Sequence, residues 1–128
     1  EKWNAKNSLP DQLLAQWSGL MGQTFFDFIV VDVSFISVLS VFVVQSRLLT
    51  KGGGALLLFK PQFEVGAEHL GKKGIADETE GLRVLQKTVT TLESQGFSVQ
   101  GTFASPVKGE DGNQEYFIYL QKLSSYHP

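Results

Sequence analysis

The chain has 128 residues, 42% of them apolar and 19% charged, with a formal net charge of −2. That is the composition of one domain or part of one, far from the disordered class and without a general electrostatic pull toward nucleic acid or anionic membrane. Cysteine is absent, which excludes disulfides and thiolate metal sites, and His69 and His127 form no ligand pattern, so no metal is expected.

The opening "EKWNAK" has no methionine and no charged segment leading into an apolar one. This predicts no secretion signal and suggests that something upstream has been removed. In "NSLPDQLLAQW", Ser8 as N-cap with Pro10 and Asp11 in the first turn predicts a short helix to about Leu20, which Gly22 can end. "FDFIVVDV", residues 26–33, is a continuous apolar run of the kind found in a strand covered on both faces. The longer stretch 25–44 would suit a membrane span by length. Asp27 and Asp32, however, would each cost roughly 2.5–3.5 kcal/mol near a helix centre, so a strand followed by a helix is the better reading.

Residues 37–49 predict that helix, with Gly52, Gly53 and Gly54 as its stop, and "ALLLFK", residues 55–60, predicts a second buried strand. From Pro61 to Ala76 the polar, glycine-bearing text predicts a long functional or mobile loop. Asp77 and Glu80 make a capping-box signature, after which Leu82, Leu85, Val89 and Leu92 recur at helical spacing until Gly96. "FSVQGTF" (97–103) is a weaker strand interrupted by Gly101. "SPVKGEDGN" is turn-rich, and "QEYFIYLQK" (114–122) is a final alternating strand. Alternating strands and helices imply an α/β domain with a mostly parallel sheet, and the short last connection implies an antiparallel final strand.

Ligands of open α/β sheets bind beyond the carboxyl ends of the parallel strands. Asp32 ends the first strand here and Lys60 the second, while Glu115 opens the antiparallel last strand at the same edge. Each residue also has a plainer reading. Asp32 could cap the next helix, Lys60 could pair with Glu64 on the surface, and Glu115 could be a solvated edge carboxylate. Asn113 in "DGN" is ordinary turn chemistry.

The segments "DFIVVDVSFIS", "LFKPQFE", "GKKGIAD" and "SPVKGEDGNQEYF" resemble, in order, the motifs of the FtsJ-like ribose methyltransferases, in particular the hemolysin-type branch that methylates ribosomal RNA. "EKWNAK" is similar to that family's E-x-x-N-x-R segment, with Lys6 in place of the arginine. The resemblance implies a partial Rossmann-like methyltransferase sheet with helices on both faces. It also implies S-adenosylmethionine as cofactor, ribosomal RNA as partner and a cytoplasmic enzyme. It makes Asp32, Lys60 and Glu115 three members of a Lys-Asp-Lys-Glu tetrad. Glu1, Asn4 and Asp32 would lie on the cofactor side; Ser34, Phe35, Gln62, Lys72, Lys73 and Asn113 would lie on the substrate side.

The family's glycine-rich cofactor loop, its first tetrad lysine and the branch's RNA-binding module are expected upstream of Glu1. "KGGGA" does not replace that loop, because it precedes a strand instead of opening a helix. On this reading residues 1–128 are the C-terminal part of one methyltransferase domain. Its strand 26–33, left at an edge without its neighbour, would favour a homodimer. A membrane-active cytolysin, as the hemolysin name implies, and a non-catalytic interaction fragment are the competing readings.

Overall fold

A computed structural model describes residues 25–123. The predicted helix 8–20 and the residues Glu1 and Asn4 lie outside this range. The described part is a four-stranded sheet in the order β1-β2-β4-β3, where β1 is Phe26–Val31, β2 Leu49–Phe59, β3 Phe97–Ala104 and β4 Tyr116–Lys122. β1 and β2 are parallel, and β4 runs antiparallel to both β2 and β3. The antiparallel final strand follows from its connection: residues 105–115 are too few for a crossover helix.

Two helices supply the crossovers: α1 at Val38–Gln45 and α2 at Glu78–Ser94. The register aligns Val31 with Leu57 and Leu57 with Ile118, so these three side chains share one sheet face. Val38, Val41 and Phe42 of α1 and Leu85 and Leu92 of α2 join them in a single core, and the Phe42 and Phe97 rings meet edge to face at 5.0 Å. Among the described residues both helices therefore cover the same face. On the other face Phe28 is 50% and Val30 63% exposed, so the expectation that residues 26–33 are covered on both sides is not met within residues 25–123.

The glycine triplet required a different reading. Residues 46–48 form a 3₁₀ turn after α1, and β2 already begins at Leu49, whose side chain is 1% exposed. β2 advances from Leu49 to Gly54 while β1 advances only from Phe26 to Phe28, so the glycines lie in a bulge of β2 and do not stop a helix. Gly52 has φ +81°, and a Cβ at Gly53 would approach the Asp27 carbonyl oxygen to 2.9 Å. Both positions need glycine for that reason. Gly101 marks a second irregularity, between Val99 and Gly101 of β3.

Asp77 caps α2 by accepting from the Glu80 amide at 2.9 Å, as the capping signature predicts. The Glu80 side chain does not complete the reciprocal half, because it accepts two hydrogen bonds from Arg83 instead. The segment 61–76 is short of regular structure but not of anchors. It contains 3₁₀ turns at Pro61–Phe63 and Ala67–His69 and a bridge between Leu70 and Ala76, and the Asp77 amide donates to the His69 carbonyl at 2.8 Å.

Candidate active site

The end of β1 and the end of β2 are adjacent because the two strands are parallel neighbours, and this brings Asp32 and Lys60 together. Lys60 Nζ lies 2.6 Å from Asp32 Oδ1 and donates to Ser34 Oγ at 3.3 Å. The lysine side chain is only 14% exposed, whereas that of Asp32 is 59% exposed. The ammonium is thus carried out of the core on a buried stem and arrives at an open carboxylate. An ammonium has three donor hydrogens, of which these contacts use two. Neither plain reading applies: Asp32 does not cap α1, and Lys60 does not pair with Glu64.

Glu115 is on the same rim, one residue before β4, and is 9% exposed. It forms no ion pair with Lys60 among the described residues. Its Oε2 accepts from Gln62 Nε2 at 2.9 Å, and its backbone carbonyl accepts from the Ser105 amide. The connection 105–113 folds over it so closely that a Cβ at Gly109 would collide with the carboxylate. Gln62 Oε1 is buried without a partner, a costly state for an acceptor. Turning the amide over would place that oxygen against the Glu115 carboxylate, so the orientation is fixed.

Phe35 is the most unusual residue on the rim. It has φ +67°, uncommon for a bulky side chain, and is 84% exposed, with its ring 4.8 Å from that of Phe63. Lys72 and Lys73 are exposed in the turn between the bridged residues Leu70 and Ala76. Asn113, by contrast, is 2% exposed, and both ends of its amide are used: Oδ1 accepts from the Ala76 amide and Nδ2 donates to the Gly74 carbonyl. It ties the lysine-bearing turn to the base of β4. A cavity of about 290 Å³ beside it is lined by Pro61, Asp77, Lys108 and Tyr116 among others.

The sequence offers Glu64 as a surface partner for Lys60. It is instead largely buried, and its Oε2 accepts from the Val38 amide at 2.9 Å. Burial pushes its carboxyl up from 4.5 to about 7, against the opposing hydrogen bonds from Val38 and the Ser37 hydroxyl. Its partner lies 26 positions away, and no local pattern in the sequence announces the pairing.

Comparisons with known proteins give the chain its relatives. The chain is 39% identical over 95 residues to YqxC of Bacillus subtilis, named as an rRNA methyltransferase, and the match covers 73% of this chain and 34% of that protein. It is 37% identical over 99 residues to the 23S rRNA (cytidine-2′-O)-methyltransferase TlyA of Campylobacter jejuni, covering 76% of this chain and 38% of that one. A solved structure from Streptococcus thermophilus, titled as a hemolysin, superposes with a TM-score of 0.76 at 32% identity, over 96% of this chain and 42% of the other. The chain thus spans little more than a third of the length of these curated relatives. The profile of the FtsJ-like methyltransferase family matches residues 2–122, and the chain belongs to that family.

Proposed function

We propose that residues 1–128 supply the catalytic rim of an S-adenosylmethionine-dependent ribosomal RNA 2′-O-methyltransferase. The observation that carries this reading is the Lys60–Asp32 pair, 2.6 Å apart at the ends of two parallel strands of an FtsJ-family sheet. A ribose 2′-hydroxyl is a weak nucleophile that must be oriented and must lose its proton as it attacks. Lys60, charged and held by Asp32 and Ser34, has one N–H left with which to fix that hydroxyl and to stabilise the oxygen as negative charge grows on it. A lysine held by a carboxylate is a positioning group first. Glu115, fixed by Gln62, stands as the second carboxylate of the rim.

When bound, S-adenosylmethionine supplies the methyl group. Among the described residues Asp32 fits the cofactor side, because its carboxylate is open on the rim, while Glu1 and Asn4 are assigned there by the family resemblance alone. The exposed ring of Phe35, backed by Phe63, suits stacking with an unpaired base. Lys72 and Lys73 suit the phosphates around it. Gln62 belongs to the substrate side through its orphaned acceptor, and Asn113 acts by holding the lysine turn. Association of two copies edge to edge through β1 is part of the same reading, since β1 is bonded on one side only among the described residues.

The test is methyl transfer from labelled S-adenosylmethionine to ribosomal RNA by the full-length protein, with the product nucleotide identified after digestion. The reading expects a 2′-O-methyl nucleotide that is lost in Lys60→Ala. Absence of transfer by the unaltered protein, together with leakage of liposomes, would favour the membrane-active alternative. No described helix is long and apolar enough to cross a membrane.

A further inference from the structure

Two loops build the rim: residues 32–37, between β1 and α1, and residues 60–64, after β2. Three ties join them. Lys60 binds Asp32 and Ser34, the Phe63 ring packs on Phe35, and Glu64 accepts from the first amide of α1. The third tie is the one the proposed chemistry does not use. Ser37 stands at the N-cap of α1 yet makes no capping bond to its own helix, and its hydroxyl goes to Glu64 instead. The helix is capped from outside, by a carboxylate of the neighbouring loop.

We propose that Glu64 is a positioning residue: by capping α1 from the adjoining loop it fixes segment 32–37, and with it Asp32, Ser34 and the left-handed Phe35, in the form that meets the substrate. This rests on the methyltransferase reading above. A bulky residue at φ +67° is strained and persists only where its surroundings over-determine it. The cap bears directly on that strain, because Val38 is three residues from Phe35 and the Glu64 bond holds the chain at that point. A charged acceptor also binds a helix N-terminus more strongly than a neutral one. Protonating Glu64 therefore weakens the tie without removing any group that touches substrate.

The charged groups on the elements packed around this contact are Asp32 and Lys60 on the rim, and Asp77, Glu78, Glu80 and Arg83 at the start of α2; α1 itself carries none. The perturbation at Glu64 comes from burial against two hydrogen bonds. His69 faces Glu68 and Glu80 and not this contact, so His69→Gln serves as a control.

The experiment has a structural arm and a kinetic arm. In the first, amide shifts of Val38 and of residues 34–36 are followed by NMR from pH 5 to 9 in the full chain. They should share one transition near pH 7 in the unaltered protein and in His69→Gln, and lose it in Glu64→Gln. In Glu64→Ala the amides of residues 34–36 should move or broaden while those of β3 and β4 stay in place. In the second arm, kcat/KM of the full-length protein should rise through the same midpoint. Glu64→Ala should lose roughly 10- to 100-fold, and Glu64→Gln should recover most of it with a flattened pH profile. A Val38 amide indifferent to pH, or unmoved amides of 34–36 in Glu64→Ala, would overturn the proposal. So would a Glu64→Ala enzyme with unchanged kcat/KM. If the unaltered full-length protein transfers no methyl group, the functional reading fails, and the amide titration still decides whether Glu64 holds the rim.

Discussion

Glu115 accepts from the Gln62 amide at 2.9 Å, and Gly109 approaches its carboxylate so closely that a Cβ there would push the carboxylate aside. The carboxylate is therefore clamped between a loop that follows β2 and a loop that precedes β4. Gly109→Ala should displace it without touching the sheet. The expected result is a loss of methyl transfer of at least tenfold in the full-length protein, with a melting temperature lowered by only a few degrees. An active Gly109→Ala enzyme would show that the position of Glu115 is not critical.

Direct replacement of the rim residues should separate chemistry from stability. Asp32→Ala, Lys60→Ala and Glu115→Ala are each expected to lower kcat/KM by about 10²–10⁴-fold, the range for removing a positioned proton-handling or electrostatic group. Asp32 is 59% exposed, so its removal should cost little stability, about 1 kcal/mol or less for such an exposed pair. Activity and thermal melting measured on the same preparations decide the point. Near-normal turnover in Lys60→Ala would remove that residue from the mechanism.

Much of this rim was legible in the sequence, and the reason is topological. Parallel neighbours end at the same edge, so a charged residue at the end of each apolar run must meet the other, as Asp32 and Lys60 do. The glycine triplet was not legible, because glycine serves equally as a helix stop and as the residue that lets a strand bulge. Only the Phe26–Leu49 pairing decides between them. The role of Glu64 was not legible for a related reason. Its spacing from Lys60 suggested a local ion pair, while its actual partner, the Val38 amide, belongs to a different element. Asn113 looked like turn chemistry because the sequence cannot show that the turn is buried.

The raised carboxyl of Glu64 has a defined effect on stability. Its folded-state value, about 7, lies above its ordinary value of 4.5, so folding favours the protonated form. The contribution is fully present below about pH 4.5 and is lost as pH rises through 7, amounting to on the order of 3 kcal/mol above that. Glu64→Gln cannot ionise and should escape this loss. The variant is expected to match the unaltered chain at pH 4.5 and to be more stable at pH 8, with denaturant midpoints across that range as the measurement. Equal midpoints at pH 8 would mean that the buried charge costs nothing.

Asn113 offers a test of how the lysine-bearing turn is held. Asn113→Ala removes two hydrogen bonds and leaves the Ala76 amide and the Gly74 carbonyl without partners, a cost of about 1–3 kcal/mol for each group that stays buried. Faster hydrogen exchange should appear at Gly74 and Ala76 and not in β2 or β4. Uniform acceleration across the sheet would show that Asn113 supports the whole fold instead.

The edge of the sheet gives the last prediction. β1 is bonded to β2 on one side only among the described residues, and it carries Phe28 and Val30 at 50% and 63% exposure. It has no proline and no lysine to discourage pairing. Among the described residues, positions 28–31 of β1 present an open backbone edge together with apolar side chains, and a second copy can satisfy both at once in a two-fold arrangement. The chain by itself is therefore expected to self-associate with rising concentration, the added mass corresponding to a dimer. Val30→Lys, which places a charge on the exposed face without altering the core, should shift the equilibrium to monomer while leaving the melting temperature nearly unchanged. Light scattering across a hundredfold range of concentration measures this. A monomer throughout, or a dimer indifferent to Val30→Lys, would show that β1 is not the surface through which copies meet.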